Sequence, residues 1–164
     1  MRKLVFAAIL AGIVMTGCKP KESGNKSGCL DGNMTEETVE LASCEINIGG
    51  IHFTKSKNGA EKGITLLGDT LKFVAGPQTD YFRSSDGSVV NSSAIIFTEV
   101  DNTKPFTFTA KVQPQFTKTG TYSAGVLYAY ETDTHSQKLC FEQDEYGDHR
   151  VVSVRTIGTS DDNN

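Results

Sequence analysis

The stretch FEQDEYGD, residues 141–148, holds several carboxylates close together. Glu142 and Asp144 are two positions apart, so on a β-strand they would lie on the same face. Two carboxylates that flank a sugar perform the acid–base chemistry of a glycosidase when their separation is correct. Here Gln143 breaks the alternation of carboxylates with apolar residues, and Gly147 marks a turn. We therefore predict a hairpin whose carboxylates line the rim of the turn, and no catalytic residue.

Five residues are the best candidates for contacting a ligand. Lys138 and Glu142 are an even number of positions apart on one predicted strand, so we expect them to line one face. Arg155 from the next strand is expected to join them. Asp80 lies in a loop, and Tyr128 offers an aromatic face together with a hydroxyl. For the charged members of this set, a row of ion pairs that serves only stability is the alternative.

The sequence carries no clear metal site. No two cysteines have C-x-x-C spacing, and the three histidines lie in separate predicted elements. A structural calcium ion would draw its carboxylate ligands from Asp80, Asp86, Asp161 and Asp162. We predict no metal and no other cofactor, with a bracing calcium ion as the alternative.

The first seventeen residues are typical of an export leader. Arg2 and Lys3 precede an uncharged apolar stretch, Leu4 to Met15, that is shorter than the roughly 20 residues of a membrane-spanning helix. The following Thr-Gly-Cys resembles the lipobox of bacterial lipoproteins, in which the cysteine receives the acyl chains. We predict that residues 1–17 are removed and that Cys18 is lipidated, which would anchor the chain stably in a membrane.

The residues that follow indicate a tether at the cell envelope. Residues 18–28 offer no apolar side chain to bury, and we interpret them as flexible. Position 19 is Lys rather than the Asp associated with inner-membrane retention, which favours the outer membrane in a cell that has one. The net charge of −4 becomes more negative when the leader leaves, and an acidic surface argues against binding nucleic acid.

Export would place the remaining cysteines in an oxidising environment. Cys29 and Cys44 are candidates for a disulfide, worth about 3 kcal/mol in the chain-entropy model. They bracket most of residues 29–45, a short segment ahead of the main domain, in which a helix is predicted from Thr35 to Ala42. Cys140 lies in an apolar pattern and is predicted to be buried.

From Ile46 onward the sequence alternates between strand patterns and turn residues, which is typical of an all-β fold. The clearest pattern is Pro105 to Val112, where Phe106, Phe108 and every second residue after them are apolar. Further strands are predicted at 46–54, 64–67, 71–75, 94–100, 121–131, 138–142 and 150–156.

Seven short motifs follow one another along residues 46–164: IGGIHF (48–53), TDYF (79–82), DNTKPFTF (101–108), YSAGVL (122–127), KLCFE (138–142), VSVRT (152–156) and SDDN (160–163). Their order resembles the concanavalin A-like domain of unknown function often labelled "regulation of enolase". The resemblance implies a two-sheet antiparallel β-sandwich of jelly-roll type, with no established reaction. Family members continue past the last motif, so it also predicts a sandwich that is incomplete at its C-terminus.

These observations together predict an exported, lipid-anchored β-sandwich without enzymatic activity. Fold analogy favours a module that binds carbohydrate or glycoconjugates. One alternative is a protein-interaction or structural component of the envelope. Another is a glycoside hydrolase, which would lose its activity in Glu142→Gln.

Overall fold

The structure, a computed structural model, describes residues 4–11 and 41–163. These residues form strands and one 3₁₀ turn, and none of them forms a helix long and apolar enough to cross a membrane. In chain order the elements are β1 (Leu4–Ala11), β2 (Ala42–Ile48), β3 (Ile51–Lys57), the 3₁₀ turn (Ala60–Gly63), β4 (Ile64–Leu67), β5 (Thr70–Phe73), β6 (Tyr81–Arg83), β7 (Val89–Asn91), β8 (Ile95–Val100), β9 (Ser123–Thr132), β10 (His135–Gln143), β11 (His149–Ile157) and β12 (Thr159–Asn163).

One large sheet organises the fold. Its eight strands lie in the order β12-β11-β10-β9-β1-β8-β3-β2, and every neighbouring pair is antiparallel. Two hairpins, β4–β5 and β6–β7, form small sheets of their own. The prediction of an all-β antiparallel fold is confirmed, and the arrangement is consistent with a sandwich.

The core consists of two apolar clusters that share β8. Side chains alternate along a strand, so Ile95 and Phe97 enter the first cluster while Ile96 enters the second. Tyr81 of β6 packs into the first cluster and Phe73 of β5 into the second. Each hairpin is therefore attached to the large sheet by a buried aromatic ring.

A partly buried carboxylate ties three elements together next to the first cluster. Asp133, in the turn between β9 and β10, accepts hydrogen bonds from the hydroxyls of Tyr130 and Tyr81. The ammonium of Lys57, at the end of β3, lies 3.5 Å from the same carboxylate oxygen. Burial alone raises the pKa of Asp133, but these donors outweigh it and hold the pKa below its usual range.

Most of the predicted strands are confirmed, with shifts of a few residues at their ends. The stretch predicted as one strand at 46–54 is instead the hairpin β2–β3, because Gly49 and Gly50 both adopt left-handed backbone conformations and reverse the chain. The short strands β6, β7 and β12 were not predicted, since three to five residues carry too little alternation.

The prediction of a strand at Pro105 to Val112 is wrong for this structure. Residues 101–122 connect β8 to β9 without regular structure, and the Phe106 side chain is 43% exposed. The physical reason lies in the sheet: β1 pairs with both β8 and β9 and takes the position beside β8.

Several predictions fall on residues 12–40, which lie outside the described residues. They are the lipidation of Cys18, the tether and most of the predicted helix, whose last residue, Ala42, begins β2 instead. Cys44 carries a free, buried thiol that donates to the Phe53 carbonyl at 3.5 Å. Its disulfide with Cys29 stays a prediction. Cys140 is buried, as expected.

Replacing Asp133 should destabilise the fold. In Asp133→Ala, Tyr81 and Tyr130 lose a charged acceptor and the buried Lys57 loses a counter-charge, so we expect the free energy of unfolding to fall by about 3 kcal/mol. Urea denaturation measures this. The matched control is Asp69→Ala, in the exposed β4–β5 turn, which should change stability by less than about 0.5 kcal/mol. Equal effects would contradict the assigned role.

Candidate functional site

A cleft of about 400 Å³ opens on the face of the large sheet that carries the first core cluster. Cross-strand register builds its floor: Cys140 of β10 lies between Val126 of β9 and Val152 of β11. The next row toward the β10–β11 turn is polar, with Glu142 between Ala124 and Arg150. The β6 strand and the residue before it form a wall, so the cleft has an apolar floor and a polar rim.

Lys138 joins the floor to this wall. Its side chain is almost fully buried, and its Nζ donates to the Tyr81 carbonyl at 2.7 Å. The same nitrogen lies 3.7 Å from Oδ1 of Asp80, which also accepts from the Tyr81 backbone N–H at 2.6 Å. Lys138 thus spends one donor on a carbonyl and faces the carboxylate of Asp80, which itself lines the cleft.

Two further carboxyl groups in the cleft hold their protons more tightly than usual. Burial, and the nearby charges of Asp162 and Asp80, raise the pKa of Glu142, although Lys138 opposes this. Partial burial and the like charge of Asp80 likewise raise the pKa of Asp162 on β12. The cleft thus presents carboxyl oxygens that accept hydrogen bonds and, when protonated, also donate them.

Asp144 has a structural role. Its Oδ1 accepts from the backbone N–H groups of Tyr146 and Asp148 at 2.8 and 2.9 Å, and its Oδ2 accepts from Arg150. Burial raises the pKa of Asp144, but these donors outweigh it, and the net pKa is lowered. The predicted hairpin turn is confirmed, with Gly147 in the left-handed conformation that closes it.

Tyr122 stands at the rim of the cleft in an unusual backbone conformation. Its φ is +55°, a region that bulky residues rarely occupy, and its side chain is 42% exposed. A hydrogen bond to Glu145 raises the pKa of its hydroxyl, so the phenol stays neutral. Gln143 holds the preceding loop by donating to the Thr117 carbonyl at 2.8 Å and to the Gly120 carbonyl. Strain of this kind is found at functional sites.

The cleft brings together three of the five ligand residues predicted from the sequence: Asp80, Lys138 and Glu142. Tyr128 is fully buried in the core, where its ring packs edge-on against Tyr81 at 5.5 Å. Arg155 lies on the opposite face of the sheet, since Lys138 pairs with Val154. Its expected place beside Lys138 and Glu142 is therefore wrong.

Sequence reasoning did not rank the other polar residues of the cleft. The sequence predicts Asp162 only as a calcium ligand, gives no reason to single out Arg150, and does not distinguish Tyr122 from several other tyrosines. The pattern of a single sequence does not report a left-handed φ at Tyr122 or a register that places Arg150 beside Glu142.

Among residues 41–163, no group of three or more His, Cys, Asp or Glu side chains is placed to hold a metal ion. Of the four candidate calcium ligands, Asp80 and Asp162 line the cleft. Asp161 lies 3.9 Å from Arg155, and Asp86 accepts from the Ser88 N–H within the β6–β7 turn. The calcium alternative stays a prediction.

Residues 60–164 match the model of a family described as "Protein of unknown function (DUF1349)". No curated protein and no solved structure gave a match. The matched range includes the cleft, from Asp80 on its wall to Asp162 at its far end.

Glu142→Gln should make the chain more stable at neutral pH. A carboxyl group whose pKa is raised by folding favours the native state below its ordinary value of 4.5, and this stability is lost as pH rises through the folded pKa. The neutral Gln avoids that loss, so the melting temperature should rise at pH 7 and stay unchanged at pH 3.5. Asp148→Asn, in the exposed turn, is the control. A gain that is equal at both pH values would contradict this account.

Proposed function

We propose that this chain, which belongs to the DUF1349 family, is a non-catalytic module that binds carbohydrate or glycoconjugates at the cell envelope. The observation that carries the proposal is the combination, in one cleft, of an exposed aromatic ring at Tyr122 with carboxyl groups and an ammonium. The concanavalin A-like sandwich type expected from the motif order supports it by analogy.

The residues of the cleft match the chemistry of a sugar. Sugar hydroxyls donate to carboxylates, and Asp80, Glu142 and Asp162 supply such acceptors. The same hydroxyls accept from Lys138 and from a protonated Glu142. The C–H face of a pyranose ring is apolar, and Tyr122 offers a ring of suitable size at the rim. A neutral glycan meets all three kinds of contact.

Hydrolysis is less well supported. A retaining glycosidase needs one carboxyl group that holds its proton and a second that is ionised and free to attack, about 5–5.5 Å away. Glu142 and Asp144 have pKa values shifted in opposite directions, which is the pattern of an acid and its partner. Asp144, however, uses both oxygens to hold the turn and Arg150. Measurable hydrolysis of any glycan, abolished in Glu142→Gln, would revive this alternative.

A second candidate function is protein binding through the opposite face of the sheet. Leu139, Phe141, Val151 and Ile157 of β10 and β11 are exposed there in spite of being large and apolar. Exposed apolar patches mark interaction surfaces. This candidate predicts that no glycan affects the melting temperature and that Val151→Lys abolishes capture of a partner.

The proposed location rests on the leader and the lipobox-like motif before Cys18. A lipidated Cys18 would hold the module at a membrane, on the outer membrane in a cell that has one. In Cys18→Ser we expect loss of incorporated radiolabelled palmitate and recovery of the chain in the soluble fraction. Palmitate labelling that persists in this variant would contradict the anchor.

The test of binding combines one rim variant with a matched control. A panel of plant, host and bacterial polysaccharides is added to the chain, and a rise in melting temperature identifies the glycan that binds the native state. Tyr122→Gly should weaken that binding about tenfold, or roughly 1.4 kcal/mol. Its melting temperature without glycan should not fall greatly, because glycine adopts the left-handed conformation freely.

Tyr146→Gly is the control, since Tyr146 is 79% exposed but lies outside the cleft. It should bind the same glycan with unchanged affinity. A panel in which no glycan raises the melting temperature, or equal losses in the two tyrosine variants, would contradict the proposal.

A further inference from the structure

The sheet position between β8 and β9 is filled from a distant part of the sequence. β1 pairs antiparallel with β8, with Leu4 opposite Val100, and antiparallel with β9, with Ala11 opposite Ala124. These residues belong to the stretch that the sequence predicts to be removed on export. Without them, β8 and β9 would face each other across an empty strand position, and their ladder N–H and C=O groups would lack partners.

A second segment of the same chain has the length and direction to fill this position. β1 has eight residues, and so does Pro105 to Val112. Because β8 and β9 both run antiparallel to β1, they run in the same direction as each other. A strand that leaves β8 through a tight turn and later leads into β9 would run antiparallel to both, which makes a simple meander.

The turn that this path requires is already present. Asp101 directly follows β8, and its side chain accepts from the Thr103 backbone N–H at 3.0 Å and from the Thr103 hydroxyl at 2.5 Å. An aspartate that bonds to the backbone two residues later is typical of a chain reversal. Four connecting residues, 101–104, would then place Pro105 opposite Val100, where Leu4 now pairs.

This register puts the apolar residues of the segment on the buried face. Phe106 would take the place of Val5 opposite Tyr130, and Phe108 that of Ala7 between Phe97 and Tyr128. Ala110 and Val112 would follow at two-residue intervals, opposite Val126 and Ala124. The five partners Phe97, Ala124, Val126, Tyr128 and Tyr130 pack in or against the first core cluster, while Glu99, opposite Phe106 on β8, is exposed. The alternation in the sequence therefore agrees with the side of the sheet that needs apolar residues.

Phe108 already lies close to this position. It lines a shallow apolar depression together with Leu127 and Ala129 of β9 and Leu139 of β10, on the face of the sheet opposite the first core cluster. The segment thus lies against β9, one of the two strands with which it would pair, and Phe108 would move to the first-cluster face when the segment enters the sheet.

We infer that the position between β8 and β9 is the docking site for residues 105–112 of the same chain, which occupy it when Leu4–Ala11 leave with the leader. The precursor and the processed chain would then differ by the exchange of one central strand for another. This inference rests on sheet register and on the predicted leader, and it is independent of what the cleft binds.

Hydrogen exchange of the full chain tests the inference. Ala7→Pro with Ile9→Pro removes two backbone N–H groups from β1 and prevents it from holding a central position. In this double variant the amides of residues 105–112 should become at least tenfold more protected than in the unmodified chain. Mass spectrometry of peptides that cover 105–112 and 4–11 gives the readout.

Two additional prolines locate the effect. Thr109→Pro, added to the double variant, lies at the centre of the expected strand and should abolish the new protection. Gln115→Pro lies in the exposed connection and should leave it unchanged. If residues 105–112 exchange as fast in the double variant as in an unstructured chain, whether or not the other strands stay protected, the inference is overturned.

Discussion

The carboxylate of Asp133 is the interaction on which the cleft depends. It is the shared acceptor for the hydroxyls of Tyr81 and Tyr130 and lies 3.5 Å from the ammonium of Lys57. Burial and the hydrogen bond to Asp133 raise the pKa of Tyr81, so its hydroxyl remains a donor at any ordinary pH. A partly buried charge that is hydrogen-bonded or ion-paired to side chains of three strands permits few other arrangements of those strands.

The position of Tyr81 in turn determines the wall of the cleft. Its carbonyl accepts from Lys138, and Asp80 is its neighbour in the chain. The polar rim on this side therefore follows from two contacts made by one residue, one through its hydroxyl and one through its backbone. On the other side, Asp144 and Gln143 fix the loops that carry Glu145 and Tyr122. The groups that hold the walls of the cleft have their own hydrogen-bond partners. The carboxyl oxygens of Glu142 and Asp162 and the ring of Tyr122 are therefore available to a ligand.

The fold class and part of the site could be predicted from the sequence, because both follow from the alternation of side chains between the two faces of a strand. Lys138 and Glu142 share a face since they are four positions apart on one strand, an even number. Arg155 was misplaced because its side of the sheet depends on the register between β10 and β11, in which Lys138 pairs with Val154 and not with Arg155. Alternation within one strand does not report that register. The partners of Asp133 could not be predicted in this way, since they come from three separate elements.

The segment from Pro105 to Val112 shows in another way that a local sequence pattern does not by itself determine a strand. Its alternation is as clear as that of any strand observed, yet it forms no strand in this structure, because β1 takes the neighbouring position in the sheet. A strand requires a free edge as well as a suitable sequence. Such a conflict between local preference and observed structure is unusual in a natural sequence, which is minimally frustrated, and it points to a second arrangement of the same chain.

Mapping of amide chemical shifts with the glycan that most raises the melting temperature tests the central claim most directly. The account predicts that shifts concentrate on Tyr122, Ala124, Lys138, Glu142 and Asp162, which line one cleft although they lie on different strands. Shifts that fall instead on Leu139, Val151 and Ile157, on the opposite face, would contradict it. So would the absence of any shift at saturating glycan.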